Sequence, residues 1–360
     1  MSTMRAYTHT ARGSPSTVLQ PSTLPKPSIS SPTHLLIRTM HCALNPGASI
    51  FLHLLPFVFR ASPAIPELDF AGIVEGIGSD VVDVKVGDEI FGSIPVGQHA
   101  RTTSGSLAEY IVVERSRVVK KPANTTLSEA AGLGVAGSTA LDLVKAAKLK
   151  NGDAVLVNGA AGGIGHLVVQ ICMNKVGPSG RVVAICSRSN VDWVKELGTG
   201  VGNGEVWVID REAEDLVPKL VREYGDERFD VLIDAVGIQE VFDNCPDFLK
   251  EGKPYVTVGP KLGDYTYSSM LSMIGATAKN LLWPKILGGT PRPYVQVAAA
   301  ATQVSMKELA EMVEKGVLKV HVGTLVEWDK TMEAYKKLLS GHAGGKVVVA
   351  VGDSENPTHN

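Results

Sequence analysis

The run Asn158-Gly159-Ala160-Ala161-Gly162-Gly163-Ile164-Gly165 has the residue types and spacing to hold a phosphate. It follows a short apolar segment, residues 154–158, and precedes a helical pattern over about 163–175. A pyrophosphate placed there would meet unpaired helix N–H groups and the positive end of the helix dipole. Without a Cβ, Gly162 lets the backbone approach phosphate oxygens, and Gly165 lets helix and strand pack closely. The first glycine of the usual G-x-G-x-x-G pattern is Ala160 here, so the fingerprint is a variant. A tight turn that binds nothing is the plainer reading. Against it, four glycines in seven residues cost backbone entropy and return no packing.

The next apolar segment, residues 181–187, runs into Ser187-Arg188-Ser189, with no acid before Asp192. An acid at this point would grip a ribose 2′-hydroxyl, whereas a guanidinium flanked by hydroxyls suits a 2′-phosphate. The pattern points to NADPH; a solvated surface arginine is the alternative.

The elements that position these residues follow from the apolar patterning. Segments near 154–158, 181–187, 206–209, 229–234 and 255–258 read as strands buried on both faces. Helical stretches separate them: about 163–175, one holding Trp193 and Leu197, about 212–224, and about 239–249. Such alternation gives parallel βαβ units and a doubly wound sheet. The first third is β-rich, with runs at 4–9, 35–39, 71–76 and 108–113 among many prolines and glycines. A helical segment is expected over 128–147, with Ser128 as its N-cap. The last stretch reads as helix 305–315, strand 320–326, helix 330–339 and strand 346–351. Periodicity leaves open whether it extends the parallel sheet or returns to the first domain.

A chain of 360 residues, 44% apolar and 20% charged, has material for two globular domains. A net charge of −2 gives no reason to expect nucleic acid or an anionic membrane as partner. Cys42, Cys172, Cys186 and Cys245 form no C-x-x-C pair, so neither a structural zinc nor a disulfide framework is encoded. With reduced thiols and no signal-peptide pattern before residue 4, a cytoplasmic location is the expectation. The apolar run 50–59 is too short to span a bilayer and reads as a loop or pocket wall. The polar residues 353–360 are expected to fray.

Motifs recur along nearly the whole chain: Ala43-Leu44-Asn45-Pro46, Ile65-Pro66-Glu67-Leu68-Asp69-Phe70-Ala71-Gly72, Val86-Gly87-Asp88-Glu89-Ile90-Phe91-Gly92 and Gly105-Ser106-Leu107-Ala108-Glu109-Tyr110. Ala136-Gly137-Ser138-Thr139-Ala140, the glycine loop and Asp234-Ala235-Val236-Gly237 follow. In this order they resemble the medium-chain dehydrogenase/reductase superfamily, in its zinc-free quinone oxidoreductase branch. The segments 247–250 and 255–259 and the ending Gly341-His342-Ala343-Gly344-Gly345-Lys346 are similar to the reticulon-interacting oxidoreductase group.

The resemblance implies a GroES-like, β-rich catalytic domain from residues 1–127 and 303–360, around a Rossmann domain at 128–302. It implies a cleft holding the nicotinamide, with Asn45 beside it as a positioning residue. Thr139, Val236, Gly237, Gly259 and Lys346 join Asn45, the glycine loop and Ser187, Arg188 and Ser189 as cofactor contacts. A homodimer is compatible with it.

Zinc-dependent relatives carry Gly-His-Glu where this chain has Glu67-Leu68-Asp69, and their cysteine ligand falls near Val135 and Ala136. No metal is therefore expected, and Asp69 reads as a carboxylate bonded to backbone. Without a metal to polarise a carbonyl, the substrate should already be electrophilic: a small hydrophobic quinone or an α,β-unsaturated carbonyl. The relatives' acid and lysine or tyrosine after Asn-Pro are replaced by Gly47-Ala48-Ser49-Ile50-Phe51, which leaves Ser49, Tyr265 and Tyr267 as candidate proton donors. Residues 50–59 suggest a greasy acceptor or, equally, an internal contact. The expected function is a zinc-independent, NADPH-dependent quinone or enone reductase. The alternatives are a trans-acting enoyl reductase of a polyketide pathway and a weakly catalytic cofactor-binding sensor or adaptor.

Overall fold

The computed structural model describes residues 2–198, 205–298 and 300–352. The tail expected to fray lies outside the described residues. The chain divides into two compact units. One comprises Met1–Ser138, Ala300–Glu314 and Lys319–Asn360; the other comprises Thr139–Ala299 and Lys315–Leu318.

The first unit begins with an antiparallel ribbon of β1 (Thr3–Thr8) and β2 (Gln20–Pro25). Strands β3 (His34–Leu44), β4 (Asp69–Ile77), β5 (Glu89–Ser93), β6 (Tyr110–Glu114) and β7 (Val118–Lys120) then form an antiparallel array. Alternating inward side chains, including Leu35, Ile37, Phe70, Ile90 and Val113, fill its core.

The second unit holds β8 (Ala154–Asn158), β9 (Arg181–Cys186), β10 (Val206–Asp210), β11 (Val231–Asp234), β12 (Tyr255–Thr257) and β13 (Tyr294–Gln296). All pair in parallel, in the order β10-β9-β8-β11-β12-β13. Reversal of strand order beside β8 makes this a doubly wound sheet, with its switch point at the strand that carries the glycine loop.

The final strands, β14 (Val322–Val326) and β15 (Lys346–Ala350), settle the question that periodicity left open. Strand β15 pairs antiparallel with β3, so the end of the chain completes the first unit's sheet.

Three expectations are corrected. The helix start near 128 is capped by Thr126, not Ser128: Thr126 Oγ1 accepts from Glu129 N at 3.2 Å while Glu129 Oε2 accepts from Thr126 N at 2.9 Å. The glutamate fixes the cap three residues before itself. The segment then passes through a π-turn, Leu133–Gly137, before the helix Ser138–Ala147. Residues 50–59 are not a loop throughout: Pro46–Leu54 is helical, and Phe57–Phe59 forms one 3₁₀ turn. The helix Tyr267–Leu282, capped by Thr266, and the strand β13 are elements that sequence patterning did not give.

Among the described residues, no helix is long and apolar enough to cross a membrane.

Candidate functional site

In the second unit the glycine loop joins β8 to the helix Gly165–Val176. Gly159 has φ +76, and a Cβ there would lie 2.3 Å from Val236 Cγ2. A Cβ on Gly165 would lie 2.0 Å from Gly159 O, so only glycine permits this approach of helix to turn. Gly162 differs. A Cβ there would meet only Gly159 O, at 3.2 Å, which leaves its outer side open to a ligand. Ala160 and Ala161 are buried, and Ala160 N donates to Ile185 O at 2.9 Å, tying the loop to β9. Gly163 and Ile164 are half-buried. Tight glycines at the base and an open one at the tip fit a pyrophosphate on the helix N-terminus.

The ends of β8 and β11 are locked together. Asn158 Nδ2 donates to Asp234 Oδ1 at 2.9 Å. The Asp234 carboxylate also accepts from the backbone of Val236 (2.9 Å), Gly237 (2.9 Å) and Ile238 (2.7 Å), and from the Tyr255 hydroxyl. Gly237 (φ +85) and Gly259 (φ +99) pass each other so closely that a Cβ on Gly237 would lie 1.8 Å from Gly259 O. Beside them opens a groove lined by Gly237, Ile238, Pro260, Lys261, Ser269 and Met273. Thr139 is buried at the start of its helix.

After β9, Ser187 is buried while Arg188 and Ser189 are exposed. Arg188 Nε donates to Asp210 Oδ2 at 2.8 Å, and Arg188 N donates to Glu212 Oε2 at 3.2 Å. The guanidinium holds the Asp210 carboxyl below its ordinary value. These acids were not visible near Arg188 in sequence. Strand register brings them in: Asp210 pairs across the ladder with Cys186, two residues before Arg188.

In the first unit, a buried polar network surrounds Asn45. Its Nδ2 donates to Asp69 Oδ2 (2.9 Å) and Ala43 O (3.3 Å), and its Oδ1 accepts from Lys346 Nζ (2.9 Å). Lys346 also donates to Leu44 O at 3.2 Å. The amide of Asn45 thus bridges a carboxylate and an ammonium. Asp69 further accepts from Val135 N at 2.9 Å, as expected of a carboxylate bonded to backbone. Burial pushes Asp69 up and Lys346 down, and each opposes the other's shift. The structure brings Asn45 and Lys346 together, although they are 301 residues apart.

Sequence reasoning missed Glu67 as a functional group. It is fully buried at φ +68, accepting from Asn45 N (3.1 Å) and from the Tyr335 hydroxyl (2.9 Å). Burial pushes its carboxyl up to about 8, against the pull of the Tyr335 hydrogen bond. A charged residue where zinc-dependent relatives keep glycine was the available signal, because such a position favours a left-handed backbone.

Of the proton-donor candidates, the Ser49 hydroxyl is buried without a hydrogen-bond partner, and Tyr267 is about half exposed. The run 50–59 splits: Leu52 and Leu54 are core, whereas Val58 and Phe59 are 81% and 68% exposed.

The donors at 67–69 do not fit zinc. Leu68 is aliphatic and buried, and Asp69 is engaged by Asn45 and Val135. Among the described residues, no cluster of three His, Cys, Asp or Glu side chains could hold a metal.

Comparison with known proteins places these features in context. Residues 31–123 match the family described as the alcohol dehydrogenase GroES-like domain. Residues 203–349 match the family described as zinc-binding dehydrogenase. The chain is 30% identical to a 2-methylene-furan-3-one reductase of Solanum lycopersicum over 97% of its own length and 79% of that protein's. It is 27% identical to a trans-enoyl reductase of Penicillium oxalicum, covering 97% and 98% respectively. Among solved structures, it resembles the quinone oxidoreductase from Coxiella burnetii, with a TM-score of 0.77 and 25% identity over 98% of this chain and all of that one.

Proposed function

The chain belongs to the medium-chain dehydrogenase/reductase superfamily, and we propose that it is a metal-independent, NADPH-dependent reductase of quinones or α,β-unsaturated carbonyls. It is an oxidoreductase that binds a nicotinamide dinucleotide. The observation that carries the finer reading is the replacement of a metal-binding imidazole by buried Leu68, beside an Asp69 already engaged in hydrogen bonds. A site without a Lewis acid suits acceptors whose own conjugation makes them electrophilic.

We assign the pyrophosphate to Gly159, Ala160, Ala161, Gly162, Gly163, Ile164 and Gly165, the 2′-phosphate to Ser187, Arg188 and Ser189, and the nicotinamide half to Thr139, Val236, Gly237 and Gly259. Asn45 and Lys346 hold one another in place as positioning residues. The reduced nicotinamide supplies the hydride when bound; the chain binds and orients it, and the acceptor's proton comes from solvent or from a hydroxyl such as Ser49. The test is multiple-turnover NADPH oxidation, followed by absorbance, with a panel of quinones and enones after dialysis against a strong chelator. Loss of turnover on chelation, with stoichiometric zinc in the untreated protein, overturns it.

The likeness to trans-enoyl reductases over nearly full length favours a second reading, an enoyl reductase acting in trans on a polyketide chain. Turnover of a carrier-tethered enoyl chain, with none on free quinones, would select it.

For assembly we propose a homodimer. Leu271, Ile274, Leu281 and Leu282 are exposed on one helix, and among the described residues β13 pairs with a strand on one side only. Sedimentation showing only monomer at micromolar concentration refutes it. Four buried free thiols support a cytoplasmic location.

A further inference from the structure

Among the described residues, two that are not glycine have a left-handed backbone, Glu67 (φ +68) and Lys148 (φ +52). Lys148 is exposed and directly follows the helix Ser138–Ala147, where such a turn is ordinary. Glu67 ends no helix. It is 1% exposed and lies just ahead of β4, with its carbonyl accepting from Ser106 N at 3.0 Å. Two costs therefore fall on one position: an unfavourable backbone for a residue with a Cβ, and a buried acid. Glycine would remove both. Strain that persists in this way points to a residue kept for what it does.

What Glu67 does is hold Asn45. Its Oε2 accepts from Asn45 N at 3.1 Å, and its Oε1 accepts from the Tyr335 hydroxyl at 2.9 Å. Tyr335 is itself buried within the helix Thr331–Leu339, so the carboxyl is fixed from the side away from Asn45 as well. Asn45 stands at the N-cap of the helix Pro46–Leu54, yet its side chain makes no capping hydrogen bond. An asparagine there ordinarily turns its oxygen onto its own helix. Here the main chain is tied to Glu67, and the amide turns to Asp69 and Lys346 instead.

We propose that Glu67 is a positioning residue for nicotinamide binding, acting through the main chain of Asn45. This role rests on Asn45 standing beside the nicotinamide, as in the proposed reductase. Glutamine can take its place: the carbonyl accepts from Asn45 N–H and the amide donates to the Tyr335 oxygen. Burial raises the Glu67 carboxyl to about 8, so the wild-type side chain is itself mostly neutral at pH 7. Glycine suits φ +68 and keeps the backbone, but it loses both hydrogen bonds.

The experiment is calorimetric titration of the full chain at pH 7 with NADPH and with 2′,5′-ADP, which carries the 2′-phosphate but no nicotinamide. Glu67→Gly should weaken NADPH about tenfold, the order of one lost hydrogen bond, and leave 2′,5′-ADP within about twofold. Glu67→Gln should bind both ligands as the wild type does. If Glu67→Gly does not fold, Glu67→Asn replaces it with the same expectation, since asparagine tolerates the left-handed backbone but is one methylene short. A merely structural role would weaken both ligands together or lower the fraction of chains that bind, and either result overturns the proposal. So does equal NADPH affinity in wild type and Glu67→Gly, a Glu67→Gln variant as impaired as Glu67→Gly, or a wild type that does not bind NADPH. A wild type that binds NADPH but turns over no quinone or enone refutes the reductase reading alone, and the comparison of affinities still decides the role of Glu67.

Discussion

Lys346 Nζ and Asn45 Oδ1 meet at 2.9 Å, and through the same amide Asp69 is held at 2.9 Å on the other side. The three side chains form one buried unit. Lys346→Met should therefore leave Asp69 uncompensated and cost about 3–5 kcal/mol of stability. Adding Asp69→Asn should recover part of that loss. Urea denaturation of the single and double variants checks it; additive losses would show that the two charges are not coupled.

The pH dependence of stability should have two arms. His9, His41 and His99 are drawn from 6.5 to about 4 by burial. The unfolded chain takes up their protons first, so stability falls as pH drops below about 6.5. Glu67 has the opposite sign, being raised from 4.5 to about 8. Its contribution is fully present below 4.5 and is lost as pH rises through 8. Of these four groups, Glu67 alone acts between 6.5 and 8. The urea midpoint should decline over that interval in the wild type and stay flat in Glu67→Gln. An equal decline in the variant would remove Glu67 as the cause.

Arg188→Ala should weaken NADPH about ten- to a hundredfold and leave NADH nearly unchanged. Asp210→Ala should tighten NADPH, because it frees the guanidinium from its carboxylate partner. Fluorescence titration with both cofactors measures this, and equal losses for the two would refute the assignment.

Phe59 and Leu52 should behave differently although they belong to one apolar run. Leu52 is 2% exposed, so Leu52→Ala should cost about 2–5 kcal/mol in any assay of stability. Phe59→Ala should leave stability within about 0.5 kcal/mol and raise KM for long hydrophobic acceptors more than for short ones. A flat acceptor series would show that Phe59 is not part of the acceptor wall.

Much of the second unit was legible in the sequence because β8, β9, β11 and β12 are buried on both faces and so read as apolar runs. The glycine loop was legible for a related reason, since close backbone approach leaves no substitute for Gly165. The helix Tyr267–Leu282 went unread although Leu271, Ile274 and Leu281 recur at helical spacing; it buries none of its residues, and no strand-like apolar run follows it to mark a further βα unit. Pairing of Arg188 with Asp210 depends on parallel register between β9 and β10, which no local pattern encodes. The charge on Glu67 was plain to read, but its burial depends on Tyr335 from the far end of the chain.

That β15 pairs with β3 also sets when the first unit's sheet can be completed during synthesis. Leu44 leaves the ribosome about 300 residues before Lys346, roughly 15–60 s at ordinary elongation rates. Throughout that interval residues 41–44 of β3 lack their partner strand, and Asp69 lacks Lys346 across the Asn45 amide. The parallel-sheet unit is translated complete within the same interval. The nascent chain therefore carries a finished second unit beside an unfinished first one, and the newly made first unit is the part exposed to chaperones until the last strand is released.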